Sequence, residues 1–229
     1  MKASRPTSLS LRALARLLSY PDAELRAHLD ELRQALHREG ALQPERQAEV
    51  DALIDSIGAQ SALDAEADYV QLFDSGRRTS LHLFEHVHGD SRDRGPAMID
   101  LAQTFEKAGL YLAEGEMPDH LPVVLEFAST QPPREAREFL GEMAHILNTI
   151  FSALHQRGSR YASALGALIE LAGEKAAAVP LPEEAPIDES WAEPAAFDGC
   201  SVSGQARPGQ TQPIQIQRRA SGTAAGARP

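Results

Sequence analysis

The 229-residue sequence has one cysteine, few aromatic residues and no long apolar run. A single cysteine, Cys200, excludes an internal disulfide, which is typical of a reducing compartment. We expect this thiol to be a neutral residue in a loose segment, with a catalytic role as the less favoured alternative. Because no run of about 18 apolar residues occurs, a transmembrane helix is not expected. Aromatic residues make up only 5% of the chain, and the dominance of Leu and Ala favours helices.

Basic residues are also few, since 22 Lys and Arg face 33 Asp and Glu, for a formal charge of −11. This balance argues against nucleic acid as a partner, because phosphate contacts need clustered basic side chains. A basic peptide or protein surface is the kind of partner that an acidic chain attracts. The N-terminal stretch carries Arg12 and Arg16 inside its apolar residues, so it predicts an amphipathic helix and not a signal peptide.

Helical periodicity runs through the first 175 residues, and no alternating strand pattern of any length occurs. We therefore predict an all-α fold, a single compact multi-helix domain over residues 1–179. Apolar residues at helical spacing form a stripe along one face of each helix. These stripes predict that Leu11, Leu14 and Leu18 face inward in the first helix, and that Leu63, Val70 and Phe73 face inward in another. The apolar spacing and the Pro, Gly and Ser signals predict further helices over about 22–40, 44–58, 61–73, 91–109 (capped by Ser91), from Pro122 onward, 134–155 and 161–172.

The composition changes at Pro180. Seven of the fifteen prolines lie in residues 180–229, among Gly, Ser, Gln and Ala. Such a segment cannot bury enough apolar surface to offset its ordering entropy, so we predict a largely disordered tail. The stretch WAEPAAF, residues 191–197, is its expected docking point.

The stretch HLFEHVHGD, residues 82–90, contains the pattern H-x-x-E-H, which is known from inverted zinc metallopeptidases. A catalytic zinc site needs a third protein ligand, and Glu135, Glu138 and Glu142 are available. These three residues fall at polar positions of the predicted 134–155 helix, facing away from the core. The histidine stretch is also too short for a long metal-binding helix. Zinc hydrolysis is therefore the minor hypothesis, and we expect no metal.

The residues after this motif support a different interpretation. Charges alternate in sign from Glu85 to Arg94, which is typical of hydrogen-bond and salt-bridge networks; a solvated surface turn is the simpler alternative. A second rigid polar feature, PDHLP, follows at residues 118–122 beside an apolar helix. Together the two stretches suit the wall of a groove.

The chain resembles the assembly chaperones of respiratory nitrate reductase, the delta subunit family, within the wider helical family of molybdoenzyme-specific chaperones. YVQLFDSGRRTSLHLFEHVHGDSRDRG and EMPDHLPVVLEF, between residues 69 and 127, carry the resemblance. It extends back to LLSYPDAEL and thinly into the tail, where WAEPAAF and QPIQI have counterparts; residues 217–229 are assigned nothing.

The resemblance implies a cytoplasmic chaperone and not an enzyme. Members of the family bind the molybdenum-containing catalytic subunit of nitrate reductase while it is immature. They keep it competent for insertion of the molybdenum cofactor, and delay its attachment to the membrane. The element they recognise is typically the N-terminal segment of that subunit, which can bind as an amphipathic helix in an apolar groove ringed with carboxylates. A chaperone of another molybdoenzyme is the related alternative, and we expect the chain to hold no cofactor of its own.

The candidate client-binding residues follow from this resemblance. Tyr69 and Leu72 are expected as apolar contacts, whereas a core position is favoured for Phe73. Arg92 and Arg94 are expected to fix the polar rim through ion pairs to Asp90 or Asp93. We also hypothesise that protonation of the histidines weakens the binding of a basic peptide. The remaining candidates are His82, Glu85, His86 and His88 in the rim, Asp119, His120 and Glu126 as acceptors, and Leu121 and Pro122 as the groove wall.

Overall fold

The protein, seen in a computed structural model that describes residues 6–89 and 91–180, is helical throughout that part of the chain. Apart from one isolated bridge, no β-structure occurs among these residues. The predicted all-α fold is confirmed. The helices are α1 (Ser8–Leu17), α2 (Ala23–Ala27), α3 (Leu29–Glu39), α4 (Pro44–Ala59), α5 (Ala62–Phe73), α6 (Leu83–Val87), α7 (Arg94–Lys107), α8 (Leu121–Thr130), α9 (Pro133–Glu142), α10 (Ala144–Gln156) and α11 (Ala162–Leu171), with a 3-10 turn at Arg77–Thr79.

The last helix, α11, is the centre of the described domain. Every residue from Ala162 to Ile169 is buried, and a helix that is apolar on all sides must lie inside a protein. Helices α1, α4, α9 and α10 pack around it. The sequence ALGALIELA therefore provides the surface on which the other helices assemble.

The first helix lies against α8 and α3. Leu11 and Leu14 of the predicted stripe are 1% and 0% exposed, which confirms the amphipathic pattern. The free backbone N–H groups at its start are satisfied from a distance, because the Glu39 carboxylate accepts from the N–H of Leu9 (3.0 Å) and of Ser10 (2.7 Å). A carboxylate at this end also interacts favourably with the helix dipole.

Two predicted continuous helices are in fact interrupted. The 22–40 helix breaks at His28, whose imidazole Nδ1–H donates to the Glu24 carbonyl at 2.7 Å. The backbone N–H of His28 bonds instead to Leu25 at 3.0 Å, so a side chain has taken the acceptor that a continuous helix needs. The 134–155 helix breaks at Met143, where the N–H bonds to Leu140, three residues back, and tightens the last turn of α9.

The inward face predicted for α5 is partly wrong. Leu63 is 75% exposed and Val70 is 42% exposed, whereas Ala65, Tyr69 and Phe73 are buried. The helix carries two apolar stripes, and the aromatic one packs inward because it joins an aromatic cluster with Tyr20 and Tyr161. The core position favoured for Phe73 is confirmed.

The segment between α5 and α8 is buried at Thr79, Leu83 and Asp119 but largely exposed along α7. Its helix α7 begins at Arg94 instead of being capped by Ser91, and Phe105 is its one buried residue. No described helix is long and apolar enough to span a bilayer. The predicted tail beyond Pro180, with its WAEPAAF docking point, QPIQI element and Cys200, lies outside the described residues, so the division at residue 179 stays a prediction.

Candidate functional site

The two polar stretches singled out in the sequence meet in space through the backbone. His82 and His120 form the isolated antiparallel bridge. On either side of it, the N–H of Leu83 donates to the Asp119 carbonyl (3.0 Å) and that of Leu121 to the Leu81 carbonyl (2.8 Å). This bridge fixes the start of α6 against the start of α8.

Asp119 is the centre of the resulting polar cluster and is 0% exposed. Its carboxylate accepts from His82 Nδ1–H at 3.3 Å and from the backbone N–H of Phe84 at 3.2 Å. The Arg94 guanidinium lies 3.6 Å away and also reaches Glu85 at 3.5 Å. Arg94 thus pairs with Asp119 and Glu85, and the pairing predicted with Asp93 is corrected; Asp90 lies outside the described residues.

The pKa values in the cluster follow from these contacts. The hydrogen bond to Asp119 raises the pKa of His82 despite partial burial. Burial alone would raise the pKa of Asp119, but the bonds from His82 and Phe84 and the charge of Arg94 lower it on balance. Burial, followed by the charge of His82, lowers the pKa of His120; its ring stacks on that of His82 with centroids 5.0 Å apart.

His86 lies apart from this network. Burial lowers its pKa, and its Nε2–H donates to the Ser80 carbonyl at 2.9 Å. The Ser80 hydroxyl also accepts a hydrogen bond from the backbone N–H of His82 at 3.2 Å. Sequence reasoning missed Ser80, although a serine two residues before a helix-entry position is a known local capping signal.

The geometry does not favour the zinc hypothesis. His82 has extended backbone angles (φ −84°, ψ 103°) and precedes a helix of five residues, so it does not share a helical face with His86. Glu85 is paired with Arg94. Among residues 6–89 and 91–180, no group of three or more His, Cys, Asp or Glu side chains is arranged to hold a metal ion. Glu135, Glu138 and Glu142 are exposed, as the stripe predicts.

The other candidate residues are spread over the domain. Tyr69 is 6% exposed and its hydroxyl donates to the Leu18 carbonyl at 2.7 Å, while Leu72 is half-buried. Arg92 is exposed, and His88 is half-buried with its ring against Phe84. The two predicted wall residues, Leu121 and Pro122, are buried.

Glu126 is exposed and lies on a groove of about 410 Å³ between α1, α8 and the segment after α7. Its lining is mostly apolar, and Arg12, Arg16 and Glu116 also line it. Tyr111 at this groove is 80% exposed. This groove was not predicted, although the apolar triplet Leu-Tyr-Leu directly after Gly109 is a sequence signal for it.

The pairing of His82 with Asp119 predicts that the stability of the fold depends on pH. The folded pKa of His82 is raised above 6.5, so its pairing with Asp119 stabilises the fold fully below pH 6.5 and is lost as the pH rises through the folded value. We expect His82→Gln to reduce the free energy of unfolding by about 1 kcal/mol near pH 5.5 and by less near pH 8.5. Urea unfolding at the two pH values measures this difference.

His120→Gln is the matched comparison, because the pKa of His120 is lowered and the trend should reverse. Because the folded pKa of the half-buried His120 is lowered, its contribution to the stability of the fold is lost as the pH falls through that folded pKa. Its replacement should therefore cost less in acid than in alkali. A pH-independent effect of His82→Gln would contradict the pairing described here.

Comparison with known proteins identifies relatives of this fold and of this sequence. A solved structure from Archaeoglobus fulgidus, described as a redox enzyme maturation protein, superposes with a TM-score of 0.51, at 21% identity over 73% of this chain and 94% of that chain. That likeness concerns the fold alone. The nitrate reductase delta subunit family matches residues 19–166.

Two similar proteins with curated names indicate the same family. The nitrate reductase molybdenum cofactor assembly chaperone NarJ of Escherichia coli strain K12 is 44% identical over 164 residues, which cover 72% of this chain and 70% of that protein. A Bacillus subtilis protein named probable nitrate reductase molybdenum cofactor assembly chaperone NarJ is 30% identical over 164 residues, or 70% of this chain and 86% of that one. The chain belongs to the nitrate reductase delta subunit family, as the sequence resemblance indicates.

Proposed function

We propose that this protein is a system-specific chaperone for respiratory nitrate reductase. It binds the immature molybdenum-containing catalytic subunit, keeps it competent for insertion of the molybdenum cofactor and complex assembly, and delays attachment to the membrane. The observation that carries this proposal is the 44% identity, over most of the chain, to the Escherichia coli assembly chaperone. The chaperone works in the cytoplasm and catalyses no reaction of its own.

The N-terminal segment of the catalytic subunit is the element that is bound. Of the predicted contact residues, His82, Glu85, Arg92 and Glu126 are at least partly exposed, and so are His88 and His120. Asp119 and Leu121 are 0% exposed. The exposed group offers direct contacts, whereas Asp119, Leu121, Pro122 and Tyr69 shape the surface from beneath.

Glu126 is the most informative residue to mutate, because its side chain is exposed and lies in a mostly apolar groove. A peptide with the sequence of the client's N-terminal segment should bind the full-length chaperone in calorimetry. Glu126→Lys should weaken this binding about tenfold, since a like charge then faces a basic peptide. Glu142→Lys, an equal charge reversal at an exposed position on α9, should change the affinity less than about twofold.

The failure of the native chaperone to bind the peptide or the intact catalytic subunit would overturn the proposal. Equal weakening by Glu126→Lys and Glu142→Lys would instead show a general charge effect. Copurification from the native host separates the remaining alternative: recovery of a large molybdenum subunit other than nitrate reductase would make the protein a chaperone of that enzyme.

A further inference from the structure

A second cavity, of about 440 Å³, lies between α4, α5 and the turn that joins α10 to α11. This volume falls within the range of roughly 300–1,000 Å³ that is usual for small-molecule sites. Leu53, Ile57 and Leu72 give it an apolar side, together with the ring of Tyr161. Of the predicted client-binding residues, Leu72 alone lines this cavity within the described part of the chain. The proposed client contact therefore does not explain this cavity.

Two arginines line the cavity from the α10–α11 turn, Arg157 and Arg160. Arg160 Nη1 donates to Ser56 Oγ at 3.3 Å, across from the turn to α4. Arg157 Nη1 donates to Thr79 Oγ1 at 3.4 Å. The Ser56 hydroxyl positions the Arg160 guanidinium but does not neutralise its charge.

Arg160 differs in this respect from three other arginines of the domain. Arg33, Arg46 and Arg94 each have a carboxylate within salt-bridge distance. In residues 6–89 and 91–180, no carboxylate lies within that distance of Arg160. An oriented cation without a protein counter-ion at a cavity is the arrangement expected for an anionic ligand.

The turn itself is fixed by its own hydrogen bonds. Gly158 has a positive φ of 64°, which glycine adopts without strain. The backbone N–H of Ser159 bonds to Leu154 at 3.0 Å, and the Ser159 hydroxyl accepts from Tyr161 N–H at 3.3 Å. The positions of the arginine backbones are thus set before any ligand arrives, which reduces the entropic cost of binding.

The lining of the cavity also includes a carboxylate. Asp68 on α5 lines it and accepts a hydrogen bond from Gln60 Nε2 at 2.6 Å. A carboxylate there repels an anion and favours a hydrogen-bond donor. The charged group of a ligand is therefore directed to Arg160, with its apolar body along Leu53, Leu72 and Tyr161.

We infer that this cavity binds a small organic anion, in which a flat apolar body carries a phosphate or carboxylate group. Apart from Leu72, the site shares no described lining residue with the proposed contact with the nitrate reductase subunit. A ligand here bridges α4, α5 and the α10–α11 turn, and so stabilises the position of α5 against the core.

The test uses the full-length protein and four probes: phenyl phosphate, phenylacetate, phenol and inorganic phosphate. In NMR titrations we expect phenyl phosphate or phenylacetate to shift the resonances of Tyr161 and Arg160, with a dissociation constant of about 1 mM or lower. Whichever of the two binds more tightly identifies the anionic group. Phenol and inorganic phosphate should each bind at least about tenfold more weakly, because each lacks one half of the ligand.

Arg160→Gln keeps side-chain hydrogen-bond donors but removes the charge, and should weaken the tighter probe about tenfold. Arg134→Gln is the matched control, since Arg134 is an exposed arginine on α9 that pairs with Glu138; it should leave the affinity unchanged. The inference is overturned if neither organic anion shifts these resonances at about 10 mM, if phenol binds as tightly as they do, or if Arg160→Gln binds like the native protein.

Discussion

Asp119→Ala is expected to lower the free energy of unfolding by about 3 kcal/mol, because it removes the acid from a buried charged pair. Asp119 is 0% exposed, and its carboxylate accepts from His82 and from the backbone N–H of Phe84. Without it, Arg94 retains only Glu85 as an ion-pair partner among the described residues. The N–H of Phe84 also loses its acceptor, which adds the cost of an unsatisfied buried donor.

Equilibrium unfolding in urea at neutral pH measures this loss. Asp100→Ala is the matched control, because Asp100 lies exposed on α7, and its replacement should change the free energy of unfolding by less than about 0.5 kcal/mol. If Asp119→Ala were as stable as this control, the polar cluster would not join α6 to α8 in the way described. Under conditions where the variant is fully folded, an unchanged peptide affinity would show that Asp119 acts only by positioning its neighbours.

Elements that depend on local signals were predictable from the sequence. Gly40 ends α3 with a positive φ of 58°, and Pro122 lies in the first turn of α8. In both cases the backbone preference of a single residue favours the observed structure. The burial of α11 could also be anticipated, since its sequence offers almost no polar side.

Tertiary packing decided what the sequence left open. On α5, periodicity alone could not choose between the stripe of Leu63 and Val70 and the stripe of Tyr69 and Phe73. The second is inside because Tyr161, about ninety residues later, supplies an aromatic partner for it. Likewise, the break at Met143 interrupts an apolar pattern that continues on both sides of it.

In the candidate site, too, some features were predictable from the sequence and others depend on tertiary packing. Its residue types were singled out in the two polar stretches, and the family resemblance linked them. Nothing in the spacing, however, indicates that His82 bonds to Asp119, 37 residues later. That contact depends on the backbone bridge, and it also reassigns Arg94 from a local partner to Asp119. Long-range pairing of this kind follows from the packing of α6 and α8 and not from either stretch alone.

Phe105→Ala is expected to have the largest effect on α7. Phe105 is 2% exposed and is the one buried residue of this helix. The centroid of its ring lies 4.6 Å from that of Phe127, and the Phe127 centroid lies 5.1 Å from that of Phe139. Truncation of a buried phenylalanine costs about 3–5 kcal/mol, and here it also removes the main apolar anchor of a peripheral helix. We therefore expect the amides of residues 94–107 to lose protection in hydrogen exchange before those of α11 do.

Ile99→Ala provides the control on the same helix, because Ile99 is 59% exposed and its truncation should cost less than about 0.5 kcal/mol. Phe105 also lines the groove that holds Glu126, so release of α7 should weaken the binding of the client peptide together with the local protection. Loss of protection with unchanged peptide affinity would separate the groove from the client site. Equal protection in Phe105→Ala and in the native protein would show that α7 is held by contacts other than this aromatic stack.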